Sequence, residues 1–280
     1  MNSLSPLDTL AADQRSTEQV PLAPDLSALY GPLTFPPHPG RPYVVGNFVS
    51  SLDGVVALGG KYSGGGDISG GNLHDQMVMG LLRAVADIVI VAAGTLRAAP
   101  RHTWTADAIA PQFAEAYAQT RALLGKSQPP VTVLVTAGGK LDLSLPVFQS
   151  GATDVVIAAN ERVAADLQRR SMPAHVQVLG LPGERTVSVR ALLDALQRLH
   201  PSDIILTEGG PHLLSDFLAE RCLDELFLTL APQVAGRDDP ARRPGIVSGQ
   251  EFAPQHPLWS TLVDIKRSGS FLFLRYAFAV

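Results

Sequence analysis

From Tyr43 onward, short runs of β-branched residues alternate with longer amphipathic stretches, and this alternation constrains the fold of the 280-residue chain more than any other feature. Strands separated by helices are typical of an α/β sheet, because each parallel pair of strands needs a long crossover connection. The predicted strands are Tyr43–Ser51, Asp87–Ala92, Val131–Thr136, Asp154–Ala158, Val176–Leu179, Asp203–Thr207, Glu225–Ala231, Leu262–Ser268 and Phe271–Phe278. The predicted helices are Asn72–Ala86, Ala108–Leu124, Glu161–Arg170, Ser188–Leu199 and Pro211–Arg221.

Gly269 separates the last two predicted strands and is a turn signal, so these strands should form an antiparallel hairpin. The predicted α/β fold is a mostly parallel sheet with helices on both faces and an antiparallel C-terminal end. Residues 1–40 are rich in Ser, Pro, Asp and Gln and end in repeated prolines. We expect them to form an extension that is partly disordered or wraps the surface, and residues 41–280 to form one domain.

The charge and the cysteine content exclude several classes of protein. The 22 Lys and Arg are outnumbered by 26 Asp and Glu, and a net charge of −4 gives no general attraction for nucleic acid or an anionic membrane. Cys222 is the single cysteine and cannot form an intrachain disulfide. With neither a signal-like N-terminus nor an apolar run long enough to span a membrane, the sequence predicts a cytoplasmic protein. The histidines lack metal-ligand spacing, so no metal is predicted.

The most informative motif follows the predicted strand Asp203–Thr207, where Glu208, Gly209 and Gly210 lead into a helix that begins near Pro211. Such a junction exposes backbone N–H groups at the positive end of the helix dipole, which suits a pyrophosphate. Two glycines that only permit a tight turn are the alternative. Glu208 favours a ligand site, because a carboxylate at the end of a buried strand needs a ligand donor or a partner.

Two further strands end in similar junctions. Gly94 and Thr95 follow one strand, and Thr136 and Lys140 lie around Gly138-Gly139 after the next. Each junction alone is equally well explained as an ordinary loop. Because the ends of parallel strands share one edge of a sheet, the three together predict a common ligand site.

Asp53 belongs to the fourth motif, Ser51-Leu52-Asp53-Gly54, which precedes a glycine-rich segment from Gly59 to Gly71. The segment suggests a flap that closes over a ligand, although a merely mobile loop is the simpler explanation. Asp53 is a candidate polar site residue. In the alternative interpretation its carboxylate bonds the backbone of its own turn.

The strings SSLDGVVA, LLRAVADIVIVAAGT, TEGGPHLLSDFL and LDELFLTLAPQVAG resemble, in order and spacing, the reductase domain of the riboflavin enzyme RibD and its stand-alone relatives. The resemblance runs from about Arg41 to the C-terminus. It implies a dihydrofolate-reductase-like fold, NADPH as hydride donor and a homodimer. It also implies a small heterocyclic substrate, a phosphoribosylamino-pyrimidine whose ribose is reduced to a ribityl chain.

The resemblance assigns roles to single positions. The residues expected to bind the cofactor are Gly94, Thr95, Thr136, Lys140, Gly209, Gly210, His212 and Leu213, with Thr136 and Lys140 near the adenosine 2′-phosphate. Ser63, Arg83 and Glu208 are expected on the substrate side, and Glu208 and Asp53 are the catalytic candidates. Arg83 lies near the end of a predicted helix and could instead bind the last carbonyls there.

The sequence departs from the family after Thr95, where Ala99 and Pro100 stand in place of an expected aspartate pattern. The zinc-site motif of the deaminase that accompanies RibD is also absent from the sequence. These departures leave two alternatives open. One is a reductase of a related pterin such as dihydrofolate, and the other is a module that binds NADPH without turnover.

Overall fold

The computed structural model describes residues 4–13, 18–59, 64–184, 186–238 and 243–279. Within these residues all strands join one sheet, in the order β1-β9-β10-β8-β2-β7-β3-β4-β5-β6. The strands are β1 (Asp8–Ala12), β2 (Tyr43–Ser50), β3 (Ile88–Ala92), β4 (Val131–Val135), β5 (Val155–Asn160), β6 (Val176–Leu181), β7 (Ile204–Thr207), β8 (Glu225–Leu230), β9 (Ser260–Ser268) and β10 (Phe271–Phe278).

From β8 across to β6 every pair of neighbouring strands is parallel. At the other end β8, β10, β9 and β1 pair antiparallel, and Gly269 turns the β9–β10 hairpin with a φ of 56°. This arrangement confirms the predicted parallel sheet with an antiparallel C-terminal hairpin. It also adds β1, a strand that the sequence did not predict.

The helices are α1 (Pro24–Tyr30), α2 (Gly65–Ile68), α3 (Leu73–Val85), α4 (Ala93–Ala98), α5 (Ala106–Ile109), α6 (Ala114–Leu123), α7 (Pro146–Gln149), α8 (Glu161–Gln168), α9 (Val189–Leu199) and α10 (Pro211–Ala219). The single helix predicted at Ala108–Leu124 is wrong in its first part. Ala110 leaves the helical region with a φ of −140°, and Pro111 starts a short 3₁₀ turn before α6 begins. Among the described helices none is long and apolar enough to cross a membrane.

The described part of the predicted extension is integrated into the fold. The strand β1 pairs with the edge strand β9, and α1 follows it. Leu26, Tyr30, Leu33 and Phe35 are buried in the same core as the sheet. These apolar side chains cover sheet surface that would otherwise face water, so the prolines around them do not prevent ordered packing. A domain boundary at residue 41 stays a prediction.

Alternate residues of the parallel strands point into two cores on opposite faces of the sheet. On β7, Leu206 packs into the core that contains side chains of α3, whereas Ile205 packs into the core that contains side chains of α9 and α10. Because successive side chains of a strand point to opposite faces, the residue two positions after Leu206 points toward α3. The strand therefore directs Glu208 toward the helix that carries Arg83.

Candidate functional site

The sheet has a notch at its carboxyl edge, because β7 is shorter than its neighbours. Thr207 ends β7 opposite Gly46 of β2 and Ile90 of β3. Beyond these partners β2 continues to Ser50 while paired with β8, and β3 continues to Ala92. Open α/β sheets bind ligands in the crevice outside the carboxyl ends of their strands. The residues that follow β7 form the floor of this notch.

A buried ion pair joins α3 to the end of β7. The Nε of Arg83 donates to Oε1 of Glu208 at 2.9 Å, and Nη2 donates to Oε2 at 2.7 Å. The two side chains are only 2% and 7% exposed. This bidentate geometry is the strongest form of the arginine–carboxylate interaction. The structure thus brings together two predicted substrate-side residues, and each is the other's principal partner.

A third contact of Arg83 involves a strained segment. Its Nη1 donates to the carbonyl of Thr105 at 3.1 Å. The preceding residue, Trp104, is 1% exposed and has a φ of 55°, a backbone conformation that is uncommon for a bulky residue. The His102 ring lies 5.9 Å from the Trp104 ring, and desolvation followed by the positive charge of Arg83 lowers the pKa of His102.

Asp75 is a second buried acid near this pair, and sequence reasoning missed it. It lies in the first turn of α3 and is 5% exposed. Burial raises the pKa of Asp75 to about 6, against the opposing hydrogen bonds of Thr229 and Ser69, and the negative charge of Glu208 adds to the shift. From the sequence, an acid at a helix start is explained by the helix dipole alone, so no local signal distinguishes it.

The glycine junction lies on the other side of the notch floor. Gly210 has a φ of 97° and precedes α10, which has no side-chain cap among the described residues. A Cβ on Gly209 would lie 2.7 Å from Cδ2 of Leu213. The hydroxyl of Thr95 donates to the Gly209 carbonyl at 2.9 Å. The structure therefore brings Thr95, beside Gly94 in α4, together with the start of α10.

The start of α10 is also close to the segment that precedes β9. A Cβ on Gly249 would lie 2.7 Å from Nδ1 of His212, and the Ser248 N–H donates to the hydroxyl of Ser215 at 2.9 Å. His212, in the first turn of α10, therefore lies against this segment. The uncapped backbone N–H groups of His212 and Leu213 lie at the positive end of the helix dipole.

The candidates after β4 lie two strands away from β7. Thr136 is buried, and its hydroxyl accepts the Gly139 N–H at 3.1 Å. Gly139 has a φ of 65°, and the next residue, Lys140, is exposed. The hydroxyl of Thr136 thus stabilises a turn, whereas the ammonium group of Lys140 faces solvent at the same edge of the sheet as the glycine junction.

Asp53 is exposed, and its carboxylate organises two loops at the carboxyl edge. Its Oδ1 accepts the Ser51 hydroxyl at 2.6 Å and the Ala235 N–H at 3.0 Å, and its Oδ2 accepts the Gly236 N–H at 2.8 Å. These hydrogen bonds, that of Ser51 first, lower the pKa of Asp53 to about 2. The carboxylate thus links its own turn to the Ala235–Gly236 loop, and a catalytic role for Asp53 stays a prediction.

Ser63 lies outside the described residues, as do residues 60–62 of the predicted flap. The part of the glycine-rich segment that the structure describes contains the short helix α2. Gly70 and Gly71 follow with φ values of 60° and 69°. The closing movement proposed for this segment stays a prediction.

The fold and the notch define an α/β protein whose candidate ligand site lies at the carboxyl edge of its parallel strands. The family model of the RibD C-terminal domain matches residues 42–269, and the chain belongs to this family. This match confirms the resemblance seen in the sequence motifs. A comparison with the curated proteins finds no match.

Several solved structures share the fold. RibD of Acinetobacter baumannii is 22% identical with a TM-score of 0.63, and the match covers 86% of this chain and 59% of that one. A Thermotoga maritima diaminohydroxyphosphoribosylaminopyrimidine deaminase/5-amino-6-(5-phosphoribosylamino)uracil reductase is 20% identical with a TM-score of 0.61, over 85% of this chain and 57% of that one. A pyrimidine reductase-like protein of Corynebacterium diphtheriae is 18% identical with a TM-score of 0.62, over 85% and 92%.

The chain thus spans less than two thirds of the length of the A. baumannii and T. maritima proteins and nearly all of the C. diphtheriae protein. Together with the sheet topology, these structures confirm the RibD-like α/β fold expected from the resemblance.

Proposed function

We propose that the chain is an NADPH-dependent reductase of the pyrimidine reductase type. Its proposed substrate is a phosphoribosylamino-pyrimidine, related to the one named for the T. maritima protein. The observation that carries the proposal is the notch beyond β7. It has the Arg83–Glu208 pair on the face of α3 and the glycine junction on the face of α10. A homodimer and a cytoplasmic location belong to the same proposal.

The residues of the glycine junction fit a dinucleotide. Gly209 and Gly210 let a phosphate approach the backbone closely, and the start of α10 supplies uncapped N–H groups. Thr95 fixes the carbonyl of Gly209, so that the loop is ordered before a ligand binds. Lys140 and Thr136 are the proposed neighbours of the 2′-phosphate. When bound, NADPH supplies a hydride to the ribosyl carbon of an imine, whose nitrogen takes up one proton.

The Arg83–Glu208 pair is the proposed substrate side. Three of the five N–H donors of Arg83 are used by Glu208 and the Thr105 carbonyl, so two remain for a polar group of the substrate. Both side chains are almost fully buried at the floor of the notch. The proposed work of these residues is to hold the heterocycle at a fixed distance and angle.

NADPH oxidation, followed at its near-ultraviolet absorbance, tests this proposal. The deaminated phosphoribosylamino-pyrimidine and dihydrofolate serve as parallel substrates. Turnover of the pyrimidine supports the proposal, and turnover of dihydrofolate alone would make the chain a pterin reductase. NADPH binding without consumption of any substrate across a pyrimidine and pterin panel would identify a binding module.

A further inference from the structure

Reduction of an imine consumes a proton as well as a hydride, and several polar groups of the carboxyl edge cannot supply it. Glu208 places both carboxylate oxygens on Arg83, and a guanidinium does not give up its proton in proteins. The hydrogen bond from the Ser51 hydroxyl, with those from two backbone N–H groups, lowers the pKa of Asp53 to about 2. Asp53 therefore carries no proton near neutral pH. An acid for this reaction has to be another group at the notch.

His102 is a titratable side chain on the β3 side of the notch. It lies on the loop between α4 and α5. Before it in the chain is Thr95, which contacts the glycine junction, and after it is Thr105, whose carbonyl accepts from Arg83 at 3.1 Å. The charges of Arg83 and Glu208 both act on the His102 ring. The loop therefore holds His102 beside the buried ion pair, at the strand end that also contacts the proposed cofactor site.

The backbone around His102 is fixed, whereas its imidazole is open to solvent. The rings of His102 and the buried Trp104 meet edge to face, with centroids 5.9 Å apart and an interplanar angle of 69°. The N–H of His102 donates to the Ala99 carbonyl at 3.1 Å. The His102 side chain is exposed, and among the described residues neither of its ring nitrogens has a hydrogen-bond partner. The ring is thus positioned while its nitrogens stay available for a ligand.

We propose that the imidazolium of His102 donates the proton that the substrate nitrogen takes up when its C=N bond is reduced. This inference rests on the proposed function and names the acid of that reaction. The hydride adds to the ribosyl carbon, the π electrons of the C=N bond move to the nitrogen, and the nitrogen takes a ring N–H proton of His102. The neutral imidazole then regains a proton from solvent, because the side chain is exposed.

The charges around His102 suit an acid. Desolvation, followed by the positive charge of Arg83, lowers the pKa of His102; the charge of Glu208 opposes this shift, and that of Arg101 adds to it. A lowered pKa makes the imidazolium a stronger acid, while an imidazole still titrates close enough to neutral pH to be protonated again.

Asp75 is the alternative acid, because burial raises its pKa to about 6. Its side chain is only 5% exposed and bonds the hydroxyls of Thr229 and Ser69. A carboxyl group in these surroundings exchanges its proton with solvent less readily than the exposed ring of His102. The two groups are distinguished by substituting each of them.

Steady-state NADPH oxidation with the phosphoribosylamino-pyrimidine, from about pH 5 to 9, tests the inference. For wild type we expect kcat/KM to decline as the pH rises through the pKa of His102, which lies below the ordinary histidine value of 6.5. In His102→Gln we expect kcat to be lower by about 100-fold at the pH optimum, KM to be unchanged and this decline to be absent. His256→Gln is the matched control, because His256 is exposed on the segment before β9.

Proton NMR of the free protein measures the same group without turnover. The ring signals of His102 are those missing from the spectrum of His102→Gln. Their titration midpoint should coincide with the midpoint in kcat/KM, because kcat/KM reports the ionisations of the free enzyme. A midpoint at or above the ordinary value of 6.5, or one that differs from the kinetic midpoint, would overturn the inference.

Three kinetic outcomes would also overturn the role of His102 while wild-type turnover leaves the proposed function intact. These are an unchanged pH profile in His102→Gln, a raised KM with an unchanged kcat in that variant, and a decline that disappears in Asp75→Asn instead. Absence of turnover by wild type with any pyrimidine would refute the proposed function, and this inference with it.

Discussion

Among the described residues, two buried Arg–Glu pairs lie at opposite edges of the parallel strands. Arg83–Glu208 lies at the carboxyl edge, and Arg275–Glu225 lies at the amino edge, where Glu225 is the first residue of β8. In each pair an Nη2–Oε2 distance of 2.7 Å joins side chains that are at most 7% exposed. Both pairs thus join a guanidinium to a buried carboxylate, and their surroundings differ.

The pair at the amino edge is enclosed by aromatic rings and by the N-terminal segment. The guanidinium carbon of Arg275 lies 4.6 Å from the Phe227 ring and 5.6 Å from the Phe35 ring. Its Nη2 also donates to the Thr34 carbonyl at 2.8 Å. Burial raises the pKa of Glu225, and the charge of Arg275 opposes this shift. These contacts indicate a structural pair that anchors residues 34 and 35 to the sheet.

The pair at the carboxyl edge has titratable neighbours, Asp75 and His102, and lies beside a gap between strands. A buried ion pair therefore does not by itself indicate function. The surroundings of the two pairs differ, because aromatic rings enclose the pair at the amino edge, whereas the pair at the carboxyl edge lies at the floor of the notch beyond β7.

The largest expected effect is on stability, from Arg275→Met. This change leaves Glu225 buried and unpaired, and we expect the free energy of unfolding to fall by about 3–5 kcal/mol. Urea denaturation measures it. Arg267→Met is the control, because the exposed Arg267–Asp8 pair is worth at most about 1 kcal/mol. A loss below about 1 kcal/mol for Arg275→Met would contradict the structural role of the Arg275–Glu225 pair.

The second prediction concerns Glu208→Gln, which keeps the size and shape of the side chain. It weakens the interaction with Arg83, because a neutral amide replaces the carboxylate. We expect turnover to fall by about 100-fold, since small displacements at a reacting centre have effects of this size. Steady-state NADPH oxidation measures the change, with the exposed Glu115→Gln as control. A variant with unchanged turnover and unchanged substrate affinity would refute the role of Glu208.

The third prediction is that Asp75→Asn stabilises the protein above neutral pH. The pKa of Asp75 is raised to about 6 in the folded state, so its favourable contribution is complete below about pH 4 and is lost as the pH rises through 6. Asparagine cannot ionise, and we expect a gain of up to about 3 kcal/mol at pH 8 and little change at pH 4. Thermal unfolding at both pH values measures this difference, and equal effects at the two would contradict it.

The smallest expected effect comes from Thr95→Val, which removes the hydrogen bond to the Gly209 carbonyl. A lost hydrogen bond of this kind is worth about 1 kcal/mol. We expect NADPH affinity to fall by up to about fivefold, because the loop is less ordered before a ligand binds, and stability to fall by no more than about 1 kcal/mol. Fluorescence titration measures the affinity, and Thr153→Val, in a loop outside the notch, is the control.

The sequence predicts the features that local patterns encode. The parallel strands follow from their apolar runs, and the glycine junction after Thr207 follows from residue types that permit a positive φ at Gly210. The resemblance supplies Arg83 and Glu208 as site residues. Their direct pairing has no local signal, because the two residues are 125 positions apart in the chain.

Other features escape prediction because they arise only from tertiary packing. The strand β1 forms by pairing with β9, more than 250 residues away, and α1 is stabilised by the core it covers. Asp75 appears in the sequence as an ordinary acid at a helix start. Its importance follows from burial beside Glu208, which only the folded chain brings about.

The most direct test of the central claim measures NADPH oxidation with the phosphoribosylamino-pyrimidine for wild type, Glu208→Gln and Arg275→Met, with activity expressed per folded molecule. We expect turnover by wild type, a loss of about 100-fold in Glu208→Gln, and near-normal turnover by the fraction of Arg275→Met that remains folded. Full activity in Glu208→Gln, together with a specific loss in folded Arg275→Met, would contradict the assignment of function to the carboxyl edge.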